Sequence, residues 1–509
     1  MQDEKQIISP AKVGWLAGCL LGILIIFSYP GFNSDGVLYL YAAQLLQAHE
    51  LHQAMAIYSW PFFPALVSVL STCLHISLLN AAYFYNVIFF ASTVSVFVRI
   101  IQTLGGNRTL QWVAMFSILF YRSFNKYNYY VIRDQGYWCF TLLGLLLLLE
   151  FFKHPAWYKA VLWSVCVAIS VLFRVEGVAI LLFAPFSIFC SHLSWRMKVF
   201  SWLKLNALSM IAAVALFIYV IFHPRSTLLN TPRINELHLE LFHGMSYVYQ
   251  QFLNHSDLMA QYVLPDIAKD NASGVLFSGL LTYYIYLLLG VMTWPYLILI
   301  FYAWYCRTTF LQDQWKVMWS YLLINMAITL LFTFTKIYFV DRYFQMTALC
   351  FLIFVPFGFL SLYQAILTDP KDRWKKVLFI FVLLGWAAMV VSSLFHIGPS
   401  KRYLQHAKTW ITQNLPENAN IFTNSGQLAF MTNRQMTGWQ CQVVNATICY
   451  DWKTLPNPPV WTNAQYLVVD LPQDPQLILS LTQKVGHAPL QVFLQRRPKR
   501  EVVIYSIKV

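Results

Sequence analysis

Charged residues are scarce in this chain of 509 residues, since Asp, Glu, Lys and Arg together make up only 11%. Hydrophobic residues make up 58%, and the mean hydropathy is +0.54. A soluble protein of this length cannot bury so much apolar surface, so the composition excludes a soluble enzyme and predicts a polytopic membrane protein. The aromatic share of 17% fits Trp and Tyr anchors at both membrane interfaces.

The sequence also lacks motifs that would indicate other functions. It has no Gly-rich phosphate loop, which argues against an ATP-driven pump or an enzyme that uses a nucleotide sugar. The histidines lack metal-ligand spacing, so we expect no required cofactor and keep a divalent metal as the less favoured alternative. The formal net charge of +14 comes from short basic clusters between apolar stretches, which is typical of cytoplasmic membrane loops and predicts no nucleic-acid partner. No small-residue cleavage site follows the first apolar stretch, which is therefore predicted to be a signal anchor.

Stretches of about 20 apolar residues are expected to cross a bilayer. The sequence contains eleven candidates, at 13–30, 82–102, 108–122, 136–152, 157–173, 177–193, 203–223, 282–306, 317–335, 342–364 and 377–395. With a cytoplasmic N-terminus every inside loop is basic, which supports this orientation in a plasma membrane, such as the inner membrane of a bacterium. The odd number of crossings then places the C-terminal region outside the cytoplasm.

One further apolar run, 58–79, would invert this scheme if it crossed the membrane. Pro61 and Pro64 lie near its start. We therefore predict a helix that lies in the outer interface, and we keep an ordinary crossing with a different topology as the alternative.

The region from 397 to 509 has a different composition, with more Asn, Gln, Pro and charged residues. We therefore predict two domains, a membrane domain at 1–396 and a small extracytoplasmic α/β domain at 397–509. The local patterns predict a helix at 403–415, buried strands at 420–423 and 466–469, and a closing hairpin formed by 489–494 and 501–507. Cys441 and Cys449 lie in this polar region and are predicted to form a disulfide.

Charged residues next to the predicted crossings form four groups, each in a predicted outer loop. Asp35 follows the first crossing, where an ionisable group is costly and usually functional; a helix N-cap is the alternative reading. The other groups are Arg133 and Asp134 (preceded by Lys126), Arg174 and Glu176, and Lys336 with Asp341, Arg342 and Tyr343. Salt bridges, caps and snorkelling side chains are the alternatives there. Because residues two apart do not share a helix face, Arg174 and Glu176 are predicted to have different partners.

On this topology the four groups converge at one side of one membrane leaflet. A carboxylate base surrounded by cations suits a donor with an anionic phosphate and a long lipid tail. Asp35 would deprotonate an acceptor hydroxyl or amine for attack on the anomeric carbon of a sugar. With one base and no second carboxylate placed as a nucleophile, direct displacement with inversion is the expected outcome.

At these residues the chain resembles the GT-C glycosyltransferases, in particular bacterial family 39 members related to protein O-mannosyltransferases and the lipid A aminoarabinose transferase. The stretch Asn33-Ser-Asp35-Gly-Val-Leu-Tyr39 is similar to the family's Asp-Glu-x-x-Tyr motif, with Asp35 at the acidic catalytic position. Arg133-Asp134 is similar to the family's acidic second loop, and Arg174-Val-Glu176-Gly177 is similar to its charged-Gly turn. Arg342-Tyr343 is similar to its Arg-Tyr entry to a late span, and 403–424 is similar to its outer domain. Gly36 replaces the second acid of the motif, so its role would pass to Asp134 or Glu176.

The apolar runs and the resemblance together predict a mainly α, GT-C-like bundle of about 11 crossings with outer interfacial helices. The resemblance also implies transfer of a hexosyl or pentosyl group from a polyprenyl-phosphate donor, outside the cytoplasm, to an unknown lipid, glycan or protein acceptor, with membrane lipids as further partners. The predicted roles are catalysis for Asp35, Asp134 and Glu176, and substrate binding for Tyr39, Lys126, Arg133, Arg174, Lys336, Arg342 and Tyr343. The alternatives are a flippase or transporter for a lipid-linked glycan and a non-catalytic GT-C relative.

Overall fold

The computed structural model describes residues 9–29, 31–222, 244–306, 313–337, 340–395, 401–442, 461, 463–495 and 499–507. The chain divides into two compact units. Unit 1 comprises Met1–Leu21, Ile88–Asn125 and Arg133–Val391, and unit 2 comprises Gly22–Val87, Lys126–Ile132 and Ser392–Val509. The region 397–509 therefore lies in unit 2 together with two earlier segments, and its status as a separate domain stays a prediction.

Helices dominate the described residues. In chain order the α-helices are α1 (Pro10–Ser28), α2 (Ser34–Gln47), α3 (Leu51–Ile57), α4 (Phe62–Leu74), α5 (Leu78–Thr103), α6 (Arg108–Leu119), α7 (Arg122–Asn125), α8 (Asp134–Lys153), α9 (Trp157–Phe173), α10 (Gly177–Phe183), α11 (Trp195–Phe222), α12 (Gly244–Tyr262), α13 (Ala272–Met292), α14 (Trp294–Tyr305), α15 (Asp313–Lys336), α16 (Asp341–Leu352), α17 (Val355–Thr368), α18 (Arg373–Leu394), α19 (Arg402–Asn414), α20 (Gly426–Thr432) and α21 (Pro475–Val485). Short 3₁₀ helices lie at Ala184–Cys190, Asp266–Asn271 and Trp439–Gln442.

Within the described residues, seven helices are long and apolar enough to cross a bilayer. They are Pro10–Ser28, Leu78–Thr103, Asp134–Lys153, Trp195–Tyr219, Asp266–Met292, Asp313–Lys336 and Arg373–Leu394. The bent pair formed by α16 and α17 raises the number to eight if it counts as one span. These helices confirm the prediction of a mainly α, multi-pass integral membrane protein.

Several predicted crossings differ in detail from the helices observed. The predicted crossing at 282–306 is divided between α13 and α14 at Thr293, whose φ of 62° interrupts the helix. The predicted crossing at 342–364 is bent by 41° between α16 and α17. Pro356 lies in the first turn of α17, where its missing N–H and its ring prevent a straight continuation. The predicted crossings at 157–173 and 177–193 coincide with shorter apolar helices.

The run predicted to lie in the membrane interface contains α4, which has 13 residues. At 1.5 Å per residue such a helix is about 20 Å long, which is less than the hydrocarbon thickness of about 30 Å. α4 ends at His75, which has the left-handed conformation of a helix C-cap. Its length therefore disfavours an ordinary crossing, while its place at an interface stays a prediction.

The C-terminal part of unit 2 contains a five-stranded sheet in the order β2-β1-β3-β5-β4. Its strands are β1 (Ile421–Thr423), β2 (Met436–Thr437), β3 (Tyr466–Pro472), β4 (Gln491–Gln495) and β5 (Arg500–Ser506). β1 pairs parallel with β2 and β3, whereas β5 pairs antiparallel with β3 and β4. The predicted strands at 420–423 and 466–469, the hairpin and the helix at 403–415 are confirmed, so this part has the predicted α/β character.

The core of this sheet layer is apolar. Its buried members include Phe422, Leu467, Val469, Val503 and Tyr505, against which the inner face of α21 packs. α20, α21 and β2 were not predicted from the sequence. The predicted disulfide lies outside the described residues, which include neither Cys449 nor the side chain of Cys441.

Candidate functional site

Asp35 lies in the first turn of α2, in unit 2, and its side chain is half-buried. The N-cap residue of this helix is Asn33, so the alternative reading of Asp35 as the cap is wrong. A carboxylate in a first turn is stabilised by the positive end of the helix dipole and by the unpaired backbone N–H groups there. The position at the start of α2 therefore suits an acidic side chain.

Two side chains from the C-terminal part of unit 2 hold the backbone just before Asp35. The Lys401 ammonium donates to the carbonyl oxygen of Phe32 at 2.7 Å, and the side-chain amide of Gln427 donates to the same oxygen at 2.9 Å. Lys401 also donates to the amide oxygen of Gln427 at 3.1 Å. The Phe32 side chain is fully buried. We call Lys401 and Gln427 the clamp, because together they fix one side of the loop that leads into α2, just before Asp35.

The other side of this loop is fixed by the segment 126–132. The side-chain oxygen of Asn33 accepts the backbone N–H of Val131 at 2.7 Å, and Asn33 makes no side-chain cap bond to α2. The segment is in turn held by Asn86, whose amide donates to the carbonyl oxygens of Asn128 and Tyr130. Hydrogen bonds from two directions therefore restrain the loop, which is the support that a catalytic group requires from its surroundings.

Gly36 explains why the second acid of the family motif is absent. A Cβ atom at this position would lie 2.7 Å from the ring of Phe32 and 2.9 Å from Cβ of Val131. It would also lie 3.1 Å from the side-chain oxygen of Asn33, which is the atom that binds the segment 126–132. No side chain fits at Gly36 in this arrangement, so the glycine is required by packing and is not in itself a sign of lost catalysis.

Tyr39 and Lys126, both predicted to bind substrate, also lie in unit 2. Tyr39 is buried, and its ring packs edge-on against Tyr58 at 5.0 Å and Phe63 at 5.6 Å between centroids. Lys126 is half-buried, with its ammonium 5.1 Å from the centre of the Tyr127 ring. Tyr39 therefore has the surroundings of a core residue, and its predicted role in substrate binding stays untested.

Arg174 is the centre of a buried charge cluster in unit 1. Its guanidinium donates to the carboxylates of both Asp134 and Glu176, and the Nε–H bond to Glu176 measures 3.1 Å. The Arg174 and Asp134 side chains are 6% and 3% exposed, and that of Glu176 is 20% exposed. Arg174 and Glu176 thus bind each other, and the prediction of different partners is wrong. The two residues lie in the turn between α9 and α10, where the rule for helix faces does not apply.

The packing of α8 against α9 brings Asp134 to Arg174. Asp134 starts α8, Arg174 ends α9, and the two helices approach closely at Gly136. A Cβ atom on Gly136 would lie 2.4 Å from the ring of Phe173. The glycine therefore allows the helix ends to meet, and a buried ion pair forms between them.

Arg174 keeps the Glu176 carboxyl ionised. Burial raises the pKa of Glu176, but the charge and hydrogen bonds of Arg174 outweigh burial, Arg133 adds to the effect, and the pKa falls to about 2. Burial acts to lower the pKa of Arg174, and the two carboxylates raise it well above its usual value. The Glu176 carboxyl therefore stays ionised at physiological pH, bound to a guanidinium that also donates to Asp134.

Aromatic rings complete the cluster. The guanidinium carbon of Arg174 lies 4.6 Å from the centre of the Tyr343 ring and 5.6 Å from that of Tyr137. Arg342 is half-buried, and its guanidinium carbon lies 5.3 Å from the same Tyr343 ring. Lys336 is exposed at the end of α15. The structure thus brings Asp134, Arg174, Glu176, Tyr343 and Arg342 together in unit 1.

The cavity beside this cluster is small. Its volume is about 20 Å³, and its lining includes Tyr137, Glu176, Asn325 and Thr329. A cavity of this size holds about one water molecule. The cluster is therefore a packed charge network and not an open sugar pocket. Among the residues that the structure describes, no group of His, Cys, Asp and Glu is arranged to hold a metal ion.

The clamp was missed by sequence reasoning. Lys401 follows the last predicted crossing, where a basic residue is ordinary, and Gln427 lies in a helix that was not predicted. Their common target is a backbone carbonyl, which carries no sequence signature. The predicted convergence of Asp35, Tyr39 and Lys126 with the residues of unit 1 stays a prediction.

Lys401 gives a testable dependence of stability on pH. The pKa of its ammonium is lowered from the usual 10.5 to about 8, mainly because the group is buried. The negative charge of Asp470 raises this pKa, and the positive charge of Arg500 lowers it further. Because the folded pKa lies below the unfolded one, the unfolded chain binds more protons between these values, so the contribution of Lys401 to stability rises with pH across this window. We expect the melting temperature of the wild type, relative to Lys401→Met, to rise between pH 8 and pH 10, as measured by thermal unfolding. A difference in melting temperature that does not change with pH would contradict the lowered pKa of Lys401.

Comparison with known proteins places the fold. No protein-family profile matches the sequence, and no curated protein matches it. Among solved structures, the apo oligosaccharyltransferase of Archaeoglobus fulgidus aligns with a TM-score of 0.48 at 12% identity, covering 90% of this chain and 69% of its own. ArnT from Cupriavidus metallidurans, bound to undecaprenyl phosphate, aligns with a TM-score of 0.51 at 12% identity and covers 97% of both chains. The likeness to ArnT over nearly the whole chain shows that this protein shares its fold, which is the polytopic GT-C-like fold implied by the resemblance of the sequence.

Proposed function

We propose that this protein is an inverting glycosyltransferase that uses a polyprenyl-phosphate sugar and in which Asp35 is the general base. The observation that carries the proposal is the restrained position of Asp35, in the first turn of α2 and behind a loop held by the clamp. The fold is shared with ArnT, a glycosyltransferase whose structure holds undecaprenyl phosphate. A fold alone does not establish an activity, so the proposal depends on the chemistry of this residue.

The proposed reaction is a single displacement. The Asp35 carboxylate accepts the proton of an acceptor hydroxyl or amine as the acceptor atom forms its bond to the anomeric carbon of the sugar. The bond between the anomeric carbon and the phosphate oxygen breaks, and its electron pair leaves with the polyprenyl phosphate. Attack and departure on opposite faces invert the anomeric configuration.

The charged residues of unit 1 divide into two roles in this proposal. We assign the donor phosphate to Arg133, Lys336 and Arg342, since cations stabilise the negative charge that grows on a departing phosphate. Arg174 is bound by two carboxylates and would act as a positioning residue. It would keep Glu176 ionised and would hold both carboxylates in place, so that they can orient the acceptor or the neighbouring cations.

We further propose that the reaction takes place outside the cytoplasm, most simply at the outer face of a bacterial inner membrane. The basic loops predicted to lie inside support this orientation. In intact cells, with the nine native cysteines replaced by serine, an impermeant thiol reagent should label Lys126→Cys directly, and should label Arg373→Cys only after the membrane is opened. The reverse pattern would overturn the assignment of the loops.

A transfer assay with synthetic polyprenyl-phosphate sugars tests the activity itself. Membranes that contain the wild type should move sugar from one of these donors to a lipid, glycan or peptide acceptor, and membranes without the protein should not. Movement of the donor between leaflets without any transfer would favour a flippase. Absence of both would favour a non-catalytic relative.

A further inference from the structure

Unit 2 contains a second feature that the proposed reaction does not use. An open cleft of about 590 Å³ lies where α4 and α20 end. Its polar lining includes Gln44, Gln47, Ser71, Asn433, Gln435 and Gln440. Of these, Gln44, Asn433 and Gln435 are exposed. The volume lies within the range of about 300–1,000 Å³ that is usual for small-molecule sites, and it exceeds the cavity beside Arg174 many times.

The chemistry of the cleft is almost free of charge. None of the described residues that line it is Asp, Glu or Lys. Its one guanidinium, on Arg434, donates to the backbone carbonyls of Thr412, Leu415 and Pro416, where it neutralises the C-terminal end of α19. His75 is the other lining side chain that can carry a positive charge. The cleft therefore offers no cationic cluster for a phosphate or a carboxylate.

The two helix ends at the cleft reinforce this conclusion. α4 ends at His75 and α20 ends at Asn433, and both residues have a φ of 53°. The C-terminal end of a helix carries unpaired carbonyl groups and a partial negative charge, which repels anions and attracts hydrogen-bond donors. A ligand rich in hydroxyl groups would match these acceptors.

We propose that this cleft binds the uncharged sugar residues of a glycan. Amide side chains each provide donors and an acceptor, which matches the alternating donor and acceptor capacity of sugar hydroxyls. The half-buried ring of Phe430 supplies an apolar wall for the C–H face of a sugar. That this glycan is the acceptor rests on the proposed function, whereas the binding itself does not.

Saturation-transfer NMR on the full-length protein tests the binding. The protein is held in phospholipid nanodiscs, since many detergents carry sugar headgroups that would compete. The probes are the methyl glycosides of glucose, mannose, galactose and N-acetylglucosamine, with glucuronate as the anionic comparison. We expect at least one neutral probe to bind and glucuronate to bind more weakly. Binding by none of the four, or a preference for glucuronate, would overturn the proposal.

Matched variants tie the binding to the cleft. The double variant Gln44→Ala/Gln435→Ala removes two exposed amides of the lining, and we expect it to weaken binding by about fivefold or more. Gln405→Ala/Gln413→Ala removes two exposed amides from α19, outside the cleft, and should leave binding unchanged. If both double variants bind the sugar equally well, the cleft is not the binding site.

The same variants separate this proposal from the proposed function. If the wild type binds a neutral sugar but transfers none from any donor, the proposed function fails and the binding site stands. If it transfers sugar normally but the cleft variant binds and transfers as the wild type does, the cleft proposal fails and the proposed function stands.

Discussion

Replacing Asp35 by asparagine should lower the rate of the proposed sugar transfer by about 10²–10⁴-fold, the usual contribution of a general base. Asparagine has the same size as aspartate and can still accept hydrogen bonds at the start of α2, but it cannot take up a proton. Because the base acts in the transition state, kcat should fall while KM for the donor changes little. The measurement is a transfer assay with a synthetic polyprenyl-phosphate sugar under saturating and limiting donor.

Glu50→Gln provides the matched control for this change. Glu50 is an exposed carboxylate of the same unit that precedes α3, and neutralising it should leave the rate unchanged. The melting temperature of Asp35→Asn, measured beside that of the wild type, shows that the variant is folded, and the loop bonds to the clamp and to Val131 involve other residues. Full activity of a folded Asp35→Asn protein would remove the assignment of the base, and with it the proposed mechanism.

The sequence predicted those helices and strands whose local hydrophobic pattern is typical of only one kind of secondary structure. Long apolar runs indicated the spans, and short continuous apolar runs in an otherwise polar region indicated the strands β3 and β5. The breaks within runs were not visible in hydropathy. Thr293, two residues before Pro295, interrupts an apolar stretch through its backbone conformation, and a sum of hydropathies does not detect this.

The candidate site was predictable only as a set of residue types. A charged residue beside an apolar run is costly in a membrane protein, and this argument selected Asp35, Asp134, Arg174 and Glu176. It could not give their partners, because Arg174 and Asp134 are 40 residues apart and meet through helix packing at Gly136. The clamp was invisible for the same reason, since Lys401 binds a backbone carbonyl 369 residues earlier in the chain.

Replacing Arg174 by glutamine should destabilise the protein by about 3–5 kcal/mol, because it leaves the buried Asp134 and the half-buried Glu176 without their cation. Asp134 is 3% exposed and starts a span, so water cannot readily solvate its charge. We expect the apparent melting temperature in a fixed detergent to fall strongly. Lys269→Gln is the control in the same unit, since Lys269 and Asp266 form an ion pair whose side chains are 43% and 95% exposed, and its loss should have little effect.

The double variant Arg174→Gln/Asp134→Asn distinguishes lost pairing from lost packing. Removing one of the two stranded carboxylate charges should restore part of the lost stability, so that the double variant is more stable than Arg174→Gln alone. Arg174→Lys should fall between the wild type and Arg174→Gln, because lysine keeps the charge but cannot bind two carboxylates with a planar fork. If the double variant is no more stable than Arg174→Gln, the loss arises from the packing of the guanidinium between Tyr137 and Tyr343, and the carboxylates do not depend on Arg174 for their charge.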